Sequence, residues 1–173
     1  MIRFGPAEIV RGHVRLREIT PDDVDDLFRW RMSLETREMF VSTAPVPFPE
    51  HEAFVTAYFA DGNTDRWFVV EVDREPIGTL ALYGFSDDGR TAEWGRFVID
   101  PSHRGRGFGR AALGLLIDHA VELGVRSLHC KVLAGNTAAE RIYDGFGFRE
   151  VGRFEQGGRA FLELVSDLEG SQR

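Results

Sequence analysis

One segment constrains this chain more than any other: Val98-Ile99-Asp100-Pro101-Ser102-His103-Arg104-Gly105-Arg106-Gly107-Phe108-Gly109-Arg110. A strand-like stretch precedes it and a helical stretch follows it, with Pro101 stopping the strand. Glycines at alternate positions let the backbone turn left-handed, so successive N–H groups can converge on an anion at the helix N-terminus. Arg104, Arg106 and Arg110 add fixed positive charge, and no acid lies between Pro101 and Arg110. The dinucleotide fingerprint G-x-G-x-x-G fails, because Arg110 stands where the third glycine belongs, and no Gly-Lys-Ser/Thr follows to make a P-loop. The segment reads as a cradle for a pyrophosphate.

Hydrophobic periodicity places the elements around this loop. His13 to Ile19 alternates as a half-buried strand. Thr20-Pro21-Asp22-Asp23 is a helix start, with a capping threonine, a proline at the first helical position and acids at the positive end. Short helices are expected over Leu34–Phe40 and Glu50–Ala60, separated by the extended loop of Pro45, Pro47 and Pro49. Trp67–Val72, Ile77–Phe85 and Thr91–Asp100 read as a meander of antiparallel strands. Gly107–Leu123 reads as a helix with Leu113, Leu116, Ile117, Ala120 and Val121 on one side, ended by Gly124. A strand over Ser127–Leu133, a helix over Asn136–Asp144, and strands over Phe148–Phe154 and Ala160–Val165 complete the order. The strand–helix–strand unit after Thr91 requires parallel pairing by a right-handed crossover. The expectation is a single α/β (α+β mixed) domain over residues 1–173, ordered over about 13–166, with a frayed tail after Asp167. Its mixed, mostly antiparallel sheet has six to seven strands and helices on both faces.

Charge and cysteine usage narrow the function classes. The net charge of -7 argues against nucleic acid as a partner. The stretch from Glu18 to Asp65 holds eleven acids against Arg29, Arg31 and Arg37, so an acidic first third precedes the basic loop. No apolar run approaches a membrane span, and Arg3, Pro6 and Glu8 break any signal-like stretch in Met1–Val10. Cys130 is the only cysteine, which excludes an intrachain disulfide and a cysteine-based zinc site. The histidines show no metal spacing. A cytoplasmic, metal-free protein is expected.

Two motifs then carry a resemblance. Arg104, Gly107 and Gly109 match an acyl-CoA loop of the form Arg/Gln-x-x-Gly-x-Gly/Ala, and Asn136, Ala139, Tyr143, Gly147 and Phe148 match Asn-x-x-Ala-x-x-x-Tyr-x-x-x-Gly-Phe. In order and separation these resemble the GNAT superfamily of N-acetyltransferases, most specifically over residues 67–154. The resemblance implies acetyl-CoA as cosubstrate, an N-acetyltransferase activity by direct attack in a ternary complex, and a strand that splays at a bulge near Phe97, Val98 and Ile99. Pantetheine would pair with that strand like an added strand, and the N–H of Val98 or Ile99 could polarise the thioester carbonyl. The implied cofactor residues are Phe97, Val98 and Ile99, the loop residues Arg104, Gly105, Arg106, Gly107, Phe108, Gly109 and Arg110, and Asn136 and Ala139. Asn136 can equally be a helix N-cap.

Attack requires a neutral amine; for a pKa near 10 this costs about 4 kcal/mol at pH 7. Glu93 stands where the resemblance places an acidic base, its alternative being a solvent-facing or ion-paired strand glutamate, with Glu71 and Asp100 as weaker candidates. Tyr143 is the implied general acid for the leaving thiolate, since a phenol is protonated at neutral pH. Cys130 reads as a buried apolar residue. For the acceptor the candidates are Trp30, Arg31, Phe40 and Trp94, with Arg37, Met39, His51, Phe54 and Arg96 around them. The acceptor is a small-molecule or peptide amine: an amino-sugar nucleotide, a polyamine or a protein N-terminus, bound by a monomer or homodimer. A reading from another class, a non-catalytic acyl-CoA-binding sensor or interaction module, needs the glycine loop but neither Tyr143 nor a base.

Overall fold

A computed structural model describes residues 8–168. The order is β1 (Glu8–Arg11), β2 (Val14–Glu18), α1 (Val24–Met32), α2 (Leu34–Arg37), α3 (Phe48–Tyr58), β3 (Arg66–Val72), β4 (Glu75–Tyr83), β5 (Thr91–Ile99), α4 (Phe108–Glu122), β6 (Ser127–Leu133), α5 (Thr137–Asp144), β7 (Arg149–Gln156) and β8 (Arg159–Asp167). The expected tail after Asp167 falls almost wholly outside the described residues.

The strands form one sheet in the order β1-β2-β3-β4-β5-β6-β8-β7. Every pairing is antiparallel except β5 with β6, as the crossover through α4 demands. Eight strands stand against the six to seven expected. The additional one, β1, is a four-residue edge strand with three of its residues exposed, so no burial pattern marks it in the sequence.

Both faces are covered. Phe68 and Val70 of β3 join the core beneath α4 and α5, with Leu113, Leu116, Ala120 and Tyr143. Trp67 and Val69, pointing the other way, pack with Leu27 and Trp30 of α1 and Val55 of α3. This explains why Trp67 to Glu71 are buried without alternation. The buried side of α4 also takes Ala112 and Leu115; Val121, expected on it, is exposed. Helix starts follow local chemistry. Thr20 and Asp23 form a capping box, yet Pro21–Asp23 is a 3₁₀ turn, and the α-helix begins at Val24. α3 starts two residues before the expected Glu50, since prolines fit a first turn and Pro47 is its N-cap. α2 ends at Arg37 and not at Phe40.

Two irregularities in β5 position the site. Thr79 pairs with Val98 and Ala81 with Gly95, so Leu80 alone opposes Arg96 and Phe97, which is a bulge. Arg96 takes a left-handed φ of 51° there. On its other edge β5 pairs with β6 only from Thr91 to Glu93. Beyond Glu93 the two strands part.

Candidate active site

The loop from β5 to α4 is built to present backbone amides. Asp100 closes its start, accepting from the Ser102 amide at 3.0 Å and hydroxyl at 2.6 Å and from Arg29 Nη1 at 3.0 Å. The Ser102 hydroxyl, and then Arg29, hold the Asp100 carboxyl below the usual carboxylate range. Gly105 and Gly107 are left-handed, with φ of 73° and 84°. A Cβ at either would enter open space, which leaves the approach to the amides clear. Among the described residues, the amides of 106–110 donate to no other backbone group, as the first turn of a helix must leave them. Gly109 serves a different end. A Cβ there would lie 3.1 Å from Phe97 Cζ and 3.5 Å from Ile99 Cγ1, so a side chain would push α4 off the bulged strand.

The three arginines divide their work. Arg104 Nε donates to the Ile99 carbonyl at 2.8 Å and Nη2 to Thr36 Oγ1 at 3.3 Å, bracing the loop between β5 and α2. Arg110 lies over the Phe146 ring at 5.1 Å, and both Arg104 and Arg110 line the large cavity. Arg106 does not line it. Its guanidinium rests on the Phe108 ring at 4.9 Å.

That large cavity, about 720 Å³, runs from the loop into the gap where β5 and β6 part. Its lining takes in Phe97, Val98 and Ile99 of β5, Gly105, Gly107, Phe108 and Gly109 of the loop, and Asn136, Ala139 and Tyr143 of α5. Tyr143 is 6% exposed. Its ring meets Trp94 edge-on at 5.1 Å and lies 5.9 Å from Phe148, and burial pushes the phenol pKa well up. Cys130 shares this floor, and burial pushes its thiol up to about 12; it is an apolar wall at neutral pH. Asn136 lines the cavity and also caps α5, accepting from the Ala139 amide at 3.3 Å. Glu140 accepts from the Gly135 amide at 2.8 Å.

Glu93 stands at the fork, its carboxylate 3.6 Å from Lys131 Nζ, both side chains partly exposed and both lining the cavity. Glu93 is thus ion-paired, one of its two readings, and it faces the cavity. The weaker candidates do not reach the cavity. Glu71 is buried between Arg15 and Arg17, and Asp100 serves as the loop's cap.

A second cavity, about 310 Å³, adjoins the first and shares Phe40, Arg96 and Val98 with it. Arg31, Phe40, His51, Phe54 and Arg96 line it, with Leu27, Val46, Glu50, Trp67 and Thr79. Trp30 does not. It is 2% exposed in the core of α1 and α3, so its expected substrate contact is corrected to a packing role. Trp94 reaches the large cavity only as buried floor. Lys131 and Tyr83, which lines the cavity beside Glu93, escaped the sequence reading. Lys131 is the chain's only lysine, yet its place two residues beyond His129, the register partner of Glu93, emerges only from the sheet.

Comparison with known proteins agrees with this geometry. A family model described as "Acetyltransferase (GNAT) family" matches residues 32–148. The chain is similar to an uncharacterised N-acetyltransferase of Methanocaldococcus jannaschii, 26% identical over 78% of this chain and 60% of that protein. It is similar too to a spermidine N(1)-acetyltransferase of Vibrio cholerae, 31% identical over 61% of each. The chain thus spans about three fifths of the length of these curated relatives. Among solved structures, spermidine N-acetyltransferase from Vibrio cholerae in complex with CoA and spermine superposes with a TM-score of 0.81 at 22% identity, covering 91% of this chain and 97% of that one. A ribosomal L7/L12 alpha-N-protein acetyltransferase gives 0.78 at 16%, covering 96% and 98%. At these identities the structures speak for the fold.

Proposed function

The chain belongs to the acetyltransferase (GNAT) family, and on that premise we propose that it transfers acetyl from acetyl-CoA to a primary amine of a small molecule or peptide within a ternary complex. One observation carries the reading: a single cavity joins the head of α4, where the amides of 107–110 donate to no other backbone group, to Tyr143 and Glu93 at the place where β5 and β6 part. Acetyl-CoA supplies the acyl group as a thioester. Each remaining task falls to the chain itself.

The amides at the head of α4, with the helix dipole behind them and Arg104 and Arg110 beside them, hold the diphosphate. The edge of β5 past Glu93, unpaired with β6, offers backbone groups to the pantetheine amides, and a Val98 or Ile99 N–H faces the thioester carbonyl. Glu93, directly or through water, takes the proton of the acceptor ammonium, with Lys131 beside its carboxylate. Tyr143 gives a proton to the departing sulfur, and its burial among Trp94 and Phe148 keeps the phenol protonated until then. The smaller cavity receives the body of the acceptor, since Phe40, Arg96 and Val98 bring it against the reacting end of the larger one. Among the relatives, one is named for spermidine and others for N-acetylation of an alanine of ribosomal protein bS18, both of them amines.

The test is release of free thiol from acetyl-CoA across a panel of amino-sugar nucleotides, polyamines and peptide N-termini, with acetyl-CoA binding followed by calorimetry. Turnover of at least one amine is expected, with binding lost in the double variant Arg104→Ala/Gly107→Glu. Tight binding without transfer to any amine would leave an acyl-CoA-binding module; unchanged binding in the double variant would remove the loop assignment.

A further inference from the structure

The smaller cavity contains a cation without an anion. Arg31 lines it, and its guanidinium makes no ion pair among the described residues; its one recorded contact is the Phe40 ring at 5.5 Å. Burial, and then the nearby charge of Arg96, push its pKa down, the sense expected for a guanidinium held away from water beside a like charge. Arg96 projects from the bulge with a left-handed backbone that non-glycine residues rarely adopt, and bulges of this kind re-aim side chains next to active sites. It lies over Trp67 at 4.7 Å and Tyr83 at 4.8 Å and bonds Asp65 through Nη2 at 3.1 Å, leaving guanidinium donors unused.

Asp65 pairs with Arg96 from outside the lining, and the other titratable groups of the lining leave Arg31 without a counter-charge. His51 is buried, its ring nitrogen Nε2 donates to the Val24 carbonyl at 3.1 Å, and burial pushes its pKa down, so it stays neutral. Glu50 is exposed and has no partner recorded among the described residues, which places the only lining carboxylate at the rim. The interior thus holds one unpaired guanidinium, Arg31, next to Arg96, whose charge is already paired with Asp65, and it is walled by aromatic rings.

We propose that this cavity is an oxyanion subsite: the amine acetylated by this chain carries a carboxylate or a phosphate, which Arg31 and Arg96 hold while the amino group faces the larger cavity. The proposal rests on the acetyl-transfer reading above and narrows its acceptor. Planar guanidinium forks suit carboxylate and phosphate oxygens, and a space of about 310 Å³ suits a small anionic group with a short stem. A polyamine would bring its ammonium groups against two guanidiniums, so the specificity separates this chain from the spermidine-acetylating relatives.

The test titrates the CoA-saturated protein with N-acetylglycine, with its neutral counterpart N-acetylglycinamide and with inorganic phosphate. At least one anion is expected to bind tenfold or more tightly than the amide. Arg31→Met, which keeps the stem, should erase that preference, and Arg31→Lys should restore part of it, with circular dichroism unchanged. Whether N-acetylglycine or phosphate binds identifies the carboxylate or the phosphate source. Equal affinity for all three probes, no binding of either anion, an unaltered preference in Arg31→Met, or turnover of spermidine ahead of every anionic amine overturns the proposal. Failure of the parent reading looks different: anions still bind through Arg31, and no amine is acetylated.

Discussion

Replacing Tyr143 with phenylalanine removes one oxygen from the floor of the large cavity and leaves the packing in place. The ring is 6% exposed and keeps its edge-on contact with Trp94 at 5.1 Å. The phenolic oxygen has no hydrogen bond recorded to another described residue, so no protein partner is orphaned. Stability should change by no more than about 1 kcal/mol, or roughly 2–4 °C in melting temperature for a chain this size. The chemical step loses its proton donor, and general-acid catalysis is worth about 10²–10⁴ in rate. A fall of about 100-fold in kcat corresponds to about 2.7 kcal/mol of transition-state stabilisation. The KM for acetyl-CoA should stay within about twofold, because the substitution leaves the loop amides, Arg104 and Arg110 untouched. Steady-state thiol release with the acceptor found by the panel, run beside a thermal melt, measures all three quantities. Unchanged kcat together with a melting temperature lowered by several degrees would refute the reasoning and make Tyr143 a core aromatic only.

Gly109→Leu forces side-chain atoms into Phe97 and Ile99, with the Cβ already 3.1 Å from Phe97 Cζ; overpacking of this kind costs about 1–3 kcal/mol, and the melt should fall while the acetyl-CoA KM rises. Arg104→Ala cuts the bonds to Ile99 and Thr36 and should raise that KM about tenfold for a stability loss near 1 kcal/mol; an unchanged KM would show the brace to be dispensable. Burial alone would raise the Asp23 carboxyl, but Arg17 and the Thr20 amide outweigh it and hold its pKa below the ordinary value. Its stabilisation is therefore present above the unfolded pKa of about 3.9 and is lost as pH falls through the lower folded value. Asp23→Asn should cost about 2 kcal/mol at pH 7, and denaturant titrations should show the gap closing below about pH 4.

The sequence disclosed the elements whose signals are local. Pro101 and the alternating glycines bracket a strand-to-helix turn wherever the rest of the chain goes, and Gly124, with a φ of 88°, ends α4 as a helix-stop glycine should. Features set by register stayed hidden. β1 is too short and too exposed to alternate visibly. The bulge that turns Arg96 into the smaller cavity depends on how Thr79 and Ala81 pair across the sheet. Trp30 followed by Arg31 reads as one acceptor-facing pair, yet neighbours on a helix point about 100° apart, so the tryptophan went to the core and the arginine to the cavity. Arg106 reads from its charge as anion-binding, and its place over the Phe108 ring is visible only in the structure. Lys131 could not be paired with Glu93 before the short parallel register was known.

The most direct measurement is a crystal structure of the protein with CoA. The account predicts the diphosphate on the amides of Gly105 to Arg110, pantetheine lying along β5 where it leaves β6, and the sulfur within hydrogen-bond reach of the Tyr143 hydroxyl. A coenzyme seated elsewhere, or a sulfur remote from Tyr143, would contradict it.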